Sequence, residues 1–327
     1  MRRRPTYLRV VATTACPLSC SYCHAEGDWQ DDGARGLARE ALDACLAVAV
    51  AAAVHKIKFL GGEPMARRDL PHIVDRLRER APAADLSVIT SGVLGVERAR
   101  ALFAAGLDRM NVSIHGWHPR ALARRGGGAR AHAHRQQLLD WLVDHGYPLK
   151  LNYVLAHGTD LDDVEALLAW AAGRPVVVNL LDDLRDPRSS PAFLMDVVRR
   201  LRGGWDDERI DDDPDSLPTT RLSWADGLEV EVKTSQLGRV APWTACESCP
   251  ARTRCREGIF ALRLTHDGRL QTCMDRADLS LPLVQLVAGG GDLAPAIAAW
   301  NSFVSDPLAG ASIPARHRLP VLQEMHS

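Results

Sequence analysis

The chain has 327 residues, 46% of them hydrophobic and 25% charged, with a formal net charge of −1. That length allows one large domain or two smaller ones, and the balanced charge excludes a strong pull toward nucleic acid or membrane. No run of about 20 apolar residues is present and the start, MRRRPTYLRVVATT, carries no apolar stretch fit for a secretory signal, so neither nucleic acid nor membrane is an expected partner and a cytoplasmic location is expected.

Strand-like segments fall at 8–13, 56–60, 86–90, 109–114, 149–155 and 176–181. Helix patterns lie between them at 37–54, 70–80, 97–105, 130–145 and 161–172, and a sixth follows at 191–201. The strands read as apolar runs, as parallel strands buried on both faces do. Six βα units in series predict an α/β fold, a partial (β/α)6 parallel barrel over residues 1–205. In such barrels chemistry sits on loops at the C-terminal ends of the strands. Residues 206–225, with the acidic stretch Asp206 to Asp215, read as a solvated linker. Residues 226–327 then read as a small antiparallel domain. It is built from LEVEVK (228–233) and FALRLTHDGRLQTC (260–273), the latter carrying the hairpin signal Asp267-Gly268. Gly126–Gly128 and Gly289–Gly291 read as flexible loops.

Eight cysteines are present, and seven fall in two groups. Without a signal peptide the expected compartment is reducing, so grouped cysteines point to metal or redox chemistry rather than disulfides. Cys45, alone in ALDACLAVAVAAAV, is expected in the core. In the first group, Cys16-Pro-Leu-Ser-Cys20-Ser-Tyr-Cys23, three thiolates in one loop can hold three irons of a four-iron cube and leave the fourth open. Zinc is the rival ligand. Its common sites pair two C-x-x-C knuckles, and no second knuckle completes this loop locally. The second group, Cys246-x2-Cys249-x5-Cys255-x17-Cys273, offers four thiolates for a structural zinc or a second 4Fe–4S cluster.

The C-x3-C-x2-C spacing with Tyr22 before the third cysteine resembles the radical S-adenosylmethionine (SAM) superfamily. KFLGGEP (58–64), ITSG (89–92) and NVSIHG (111–116) follow successive strands, as the corresponding elements do in that superfamily. The resemblance implies a 4Fe–4S cluster on Cys16, Cys20 and Cys23. It places Tyr22, Gly61, Gly62, Glu63, Pro64, Ser91, Ser113 and Leu181 around SAM. It also implies reductive cleavage of SAM, hydrogen abstraction from a substrate, and an electron donor such as flavodoxin or ferredoxin.

Within the superfamily the chain is similar, from about residue 8 to residue 300, to the GTP 3′,8-cyclases of molybdenum-cofactor synthesis. That likeness puts Arg9, Lys58, Thr90, Lys150 and Arg263 on substrate-contacting positions. It departs at Ala261, an arginine position in the cyclases, and at the ending VLQEMHS, where the cyclases carry a Gly-Gly tail. Cys255 is an additional cysteine, and its spacing resembles the larger SPASM auxiliary-cluster domains rather than the twitch domain of the cyclases. Two 4Fe–4S clusters are therefore expected, the second on Cys246, Cys249, Cys255 and Cys273. The expected function is radical SAM chemistry on a small molecule of specialised metabolism: a nucleoside, nucleotide or amino sugar. A peptide maturase and a non-catalytic zinc scaffold are the alternatives. His115, Tyr153 and Asn179 are the acid–base or positioning candidates, with Asn152, Trp117 and His118 nearby. Trp29 and Trp243 are expected to shield the two cysteine groups.

Overall fold

The computed structural model describes residues 5–23, 35–183, 186, 188–211, 218–233, 243–250, 252, 255 and 260–308. Its strands β1 (Tyr7–Thr13), β2 (Lys56–Gly61), β3 (Asp85–Thr90), β4 (Arg109–Ser113), β5 (Leu149–Leu155) and β6 (Val176–Asp182) are parallel neighbours in that order. Helices α1 (Arg39–Ala51), α2 (Leu70–Arg80), α3 (Val96–Ala104), α4 (Pro119–Ala123), α5 (Ala129–Asp144), α6 (Leu161–Ala171) and α7 (Pro191–Arg202) follow the strands in turn. The expected α/β class with a parallel-strand core is what the chain forms. The short helix α4 is an addition to the expected set. His118-Pro119 is its sequence signal, because proline is pre-set for the first helical position.

The sheet is longer than six strands. It runs β12 (Ser280–Leu281), β11 (Leu270–Gln271), β10 (Leu262–Leu264), β1 to β6, β9 (Glu229–Lys233), β8 (Thr219–Ser223) and β7 (Asp207–Asp211). The strands expected to form one antiparallel appendage lie at opposite edges. Strand β9 extends β6 in parallel, and β10 extends β1 in parallel. Antiparallel pairing is confined to β7–β8–β9 at one edge and β10–β11–β12 at the other. Part of the acidic stretch expected as a loop is strand β7, exposed along its whole length. Charged side chains on an edge strand are one device that discourages further pairing.

The strands alternate. Leu8, Val10 and Ala12 of β1, Ile57 and Phe59 of β2, Leu86 and Val88 of β3, Met110 and Val112 of β4 and Leu149 and Leu151 of β5 join the buried core under the helices. The intervening positions carry Arg9, Lys58, Ser87, Asn111, Lys150 and Asn179. Successive strand side chains point to opposite faces, so the sheet has one apolar face and one polar face. The strands are buried on both faces, as expected, but the second face carries polar side chains among its apolar ones. The sheet curls about its polar face, since Lys233 of β9 is within electrostatic reach of Tyr7 and Arg9 on β1, six strands away.

Cys45 is fully buried, as expected. Helix α1 ends earlier than its apolar pattern suggests, because Ala53 takes a left-handed turn (φ 65°) into β2. Its one acidic core-side residue, Asp43, is paired by Arg80 at 2.7 and 2.8 Å. Among the described residues no helix is long and apolar enough to cross a membrane.

The Asp267-Gly268 hairpin forms as expected, with the Gly268 N–H donating to Thr265 and the Thr265 N–H donating to Arg269. Gly268 sits at φ 82°, and a Cβ there would lie 2.5 Å from Val284 Cβ. Gly268→Ala is expected to destabilise the fold by about 1–3 kcal/mol, read as a lower urea midpoint with an unchanged slope.

Candidate functional site

The first cysteine group occupies the loop after β1, at the C-terminal end of the strand. Cys16 and Cys23 are exposed and Cys20 is half-buried; none of the three is in a disulfide. Desolvation pushes the Cys20 thiol up to about 11, and the charges of Cys16 and Cys23 add to the shift. Cys16 is raised in the same way. Three cysteines gathered in one loop, with the Cys16 and Cys20 thiols held up by burial, fit a cluster, because iron takes thiolates and offsets their mutual repulsion.

Two neighbouring loops clasp this one. The Gly62 N–H donates to the Thr13 carbonyl at 2.7 Å, and the Glu63 N–H to the Ala15 carbonyl at 2.8 Å. A Cβ on Gly62 would fall 2.4 Å from the Ala15 oxygen and 2.5 Å from the Thr14 oxygen. The glycine pair thus lets β2 approach the cysteine loop closely. On the other side, the Ser19 N–H donates to the Arg125 carbonyl at 2.9 Å, and the Arg125 guanidinium donates to Ser21 at 2.6 Å. Arg125 also lies over the Tyr22 ring at 4.9 Å. The 122–127 segment is therefore a brace for the cysteine loop, a role its sequence did not signal.

Glu63 is 1% exposed. Its carboxylate accepts from the Thr90 hydroxyl at 2.6 Å, the Ser91 N–H at 2.8 Å, the Ser91 hydroxyl at 2.5 Å and the Met65 N–H at 3.0 Å. Four donors on one buried carboxylate join the GGEP turn to the end of β3. The hydroxyls of Thr90 and Ser91 are both committed to this cradle. Pro64 opens the short 3-10 turn that follows and is buried.

The Tyr22 hydroxyl lies 2.7 Å from His115 Nδ1. Burial raises the tyrosine and lowers the histidine to about 4, with Arg135 and Arg125 contributing to the latter shift. Both are therefore neutral at pH 7, so Tyr22 donates, Nδ1 accepts and the imidazole proton sits on Nε2. The loop after His115 is fixed by Asp163, which accepts from the Trp117 and His118 N–H groups at 2.6 and 2.7 Å. Tyr153 donates to the same carboxylate at 3.1 Å. Tyr153 lies on the apolar side of β5, buried among core residues, and not on the polar face. The fully buried Arg135 donates to the Trp117 carbonyl at 3.0 Å from the side of α5.

The polar face lies below the cysteine loop. Arg263, Arg9 and Lys58 are register partners on β10, β1 and β2, and Ser87 and Arg109 continue the row on β3 and β4. Lys58 is 8% exposed and has no carboxylate beside it among the described residues. Desolvation, then Arg109, Arg9, Lys56 and Lys150, hold its amine well below the ordinary lysine range. Lys233, which sequence reading missed, belongs to the same face; desolvation brings it down to about 8. Its signal was the alternation of LEVEVK.

Ser113 and Leu181 also fall on the polar face, by alternation with Asn111 and Asn179. Asn179 donates to Asn152 at 2.9 Å, and its own amide oxygen has no hydrogen-bond partner among the described residues. Neither have Ser87 Oγ nor either end of the buried Gln271 amide, beside Arg263 on β11. A buried polar group without a partner costs about 1–3 kcal/mol, so these atoms suit a polar ligand. Lys150 is held elsewhere, 2.5 Å from Glu231 on β9.

In the second cysteine group, Cys246 closes a short 3-10 turn, and Trp243 packs on Phe260 beside it, with ring centroids 5.5 Å apart. Cys246, Cys249, Cys255 and Cys273 are all half-buried, and none is in a disulfide. The Asp275 N–H donates to the Cys273 sulfur at 3.4 Å, and the Arg276 guanidinium, paired with Asp278, lies within electrostatic reach of Cys249. A donor and a cation beside sulfur suit thiolates on a cluster. Among the described residues no three His, Cys, Asp or Glu side chains converge on a single-ion position. A cube spreads its thiolates over separate irons and does not need that convergence. Trp29 lies outside the described residues.

Residues 10–171 match the family described as "Radical SAM superfamily". A "Probable GTP 3',8-cyclase" of Methanosarcina acetivorans is 31% identical over 280 residues, covering 83% of this chain and 78% of that protein. A "GTP 3',8-cyclase" of Caulobacter vibrioides is 30% identical, covering 89% of this chain and 81% of that protein. Among solved structures, Streptococcus suis SuiB bound to S-adenosylmethionine superposes with a TM-score of 0.61 at 11% identity. That superposition covers 91% of this chain but 65% of SuiB, less than two thirds of its length, and it shows a shared fold.

Gly62→Ala is expected to push the cysteine loop away while leaving the helical circular dichroism intact. Anaerobic reconstitution followed by iron analysis checks this, the expected result being a loss of about four irons per chain.

Proposed function

Because the chain belongs to the radical SAM superfamily, we propose that it cleaves SAM reductively and abstracts a hydrogen atom from an anionic small molecule, with a nucleotide-type substrate favoured. It is an enzyme of radical chemistry, and the cofactors of its family are a 4Fe–4S cluster and SAM. A non-catalytic zinc scaffold is set aside by that membership. Cys16, Cys20 and Cys23 are the residues that would hold the cluster. When bound, the cluster supplies one electron for cleaving SAM to methionine and a 5′-deoxyadenosyl radical, which takes hydrogen from the substrate.

The chain's own residues have separable tasks in this reading. Gly61 and Gly62 set how closely β2 approaches the cysteine loop. Glu63, with Pro64 behind it, fixes the ends of β2 and β3 relative to each other, so Ser91 acts as a support through its contacts to Glu63. Tyr22 and His115 tie the cysteine loop to the end of β4 and present a neutral Nε2–H. Ser113 and Leu181 border the SAM site from β4 and β6. Arg9, Lys58 and Arg263 neutralise the anionic part of the substrate, and Asn152 and Asn179 offer amide groups to its polar part.

The observation that carries the reading is the placement of the three-thiol loop above a sheet face that carries this row of cations. The cyclase relatives, named for a nucleotide, support the substrate class. Cys246, Cys249, Cys255 and Cys273 are proposed to hold a second 4Fe–4S cluster for electron transfer or support, with flavodoxin or ferredoxin as the outside donor and the cytoplasm as the location.

Anaerobically reconstituted protein is expected to hold about eight irons per chain. The triple variant C16A/C20A/C23A is expected to hold about four and to form no 5′-deoxyadenosine with dithionite and SAM. Zinc in place of iron, with no SAM cleavage by the parent protein, would overturn the proposal.

The pH dependence has a definite sign. The folded-state value of Lys233 is lowered to about 8, so the ammonium is present below that pH and is lost as pH rises through it. Bound anion favours the charged form. KM for an anionic substrate is therefore expected to rise between about pH 7 and 9, with 5′-deoxyadenosine formation from SAM alone much less affected.

A further inference from the structure

Glu231 stands out among the groups on the polar face. It is a carboxylate 5% exposed, on β9, in register with Asn179, Asn152 and Ser113. One oxygen lies 2.5 Å from Lys150 Nζ, and the other lies 2.5 Å from the Arg221 guanidinium on β8. The register explains the reach. Lys150 of β5 pairs with Val177 of β6, which pairs with Glu229, so Lys150 leans diagonally across β6 to meet Glu231. The lysine is thereby drawn toward β9 and away from Asn111, its register partner on β4.

The consequence is a change of sign along the face. Near β1 and β2 it presents Arg9 and Lys58. Along the sheet β2 and β5 are three strand spacings apart, about 14 Å, and the curl leaves Lys150 within electrostatic reach of Lys58. At the β5 end Lys150 and Arg221 share the Glu231 carboxylate, and Arg221 also faces Asp211 at 3.4 Å and Glu229 at 3.6 Å. A compact anion beside Lys58 meets Arg9 and, across the curled sheet, Lys233, while Arg109 in the same row is already paired with Asp85. An extended polyanion reaching toward β5 meets Glu231 and lysine charge already spent on it. Like charges brought together in a partly desolvated site are penalised strongly, and this is how a site rejects the wrong ligand.

We propose that Glu231 is a specificity-determining residue that withdraws Lys150 and Arg221 from the substrate and restricts the site to a compact anionic group, a single phosphate or carboxylate, in preference to a polyphosphate chain. This rests on the anionic-substrate reading above and sharpens it. Arg221 and Glu231 carry no motif, and the likeness to the cyclases gave Lys150 to the substrate; the ion pair is what redirects it.

The test uses the anaerobic, cluster-loaded full chain and two inorganic probes, orthophosphate and tripolyphosphate, measured by calorimetry. The parent protein is expected to bind tripolyphosphate no more than a few-fold better than orthophosphate. In Glu231→Gln the ratio is expected to move by about tenfold toward tripolyphosphate, since a freed lysine gains a charge-assisted contact. In E231Q/K150M that gain is expected to vanish. Gln keeps the shape and one acceptor. Should E231Q fail to fold, E231D retains the charge but shortens the reach, and a smaller shift in the same direction is expected. A parent protein that already prefers tripolyphosphate by more than tenfold, or a ratio unmoved in the folded variants, overturns the proposal. Formation of 5′-deoxyadenosine from SAM is followed in the same samples. Its presence with an unmoved ratio sinks this inference alone, whereas its absence in the parent protein sinks the functional reading.

Discussion

The Glu63 carboxylate receives four hydrogen bonds in a place that water barely reaches, and its own N–H reaches across to the Ala15 carbonyl. One residue thus connects β2, the end of β3 and the cysteine loop after β1. A buried charge is tolerated only when fully hydrogen-bonded, so the cradle either forms completely or costs several kcal/mol. That all-or-none character pre-organises the loop: the thiols are held by backbone contacts before any iron arrives. Gly62 makes the approach sterically feasible, and Glu63 makes it specific.

The polar face depends on the same strand ends. Every second residue of β1, β2, β3 and β4 enters the helix-covered core, and this burial stabilises the sheet. The remaining positions are then free to carry groups that no core would accept. Arg9, Lys58 and Lys233 share this space, and the depressed values of the two lysines record the strain of like charges gathered out of water. A site under such strain gains most from a ligand of opposite sign. Glu231 pairs with Lys150 and Arg221 instead, which is why the face is not uniform.

The sequence alone settled the elements that depend on local periodicity. The first six strands and most helices lie within a residue or two of where apolar spacing put them, and the Asp267-Gly268 turn formed where its dipeptide required. It also pointed to the type of chemistry, through the resemblance of the three-cysteine loop and the GGEP turn to the radical SAM superfamily. Membership of the radical SAM superfamily agrees with that loop.

What the tertiary structure alone decided is non-local. Strands β9 and β10 look alike in sequence, yet they close opposite edges of one sheet, and only long-range pairing chooses the edge. Tyr153 and Asn152 are adjacent in the chain, yet one lies in the core on Asp163 and the other on the polar face. Lys150 reads as a substrate contact until Glu231, 81 residues away, is seen beside it. Cys16, Cys20 and Cys23 define their loop through bonded neighbours, which a sequence records. Which charges remain for a substrate depends on pairs that meet only after the sheet has curled, and a linear sequence carries no term for that distance.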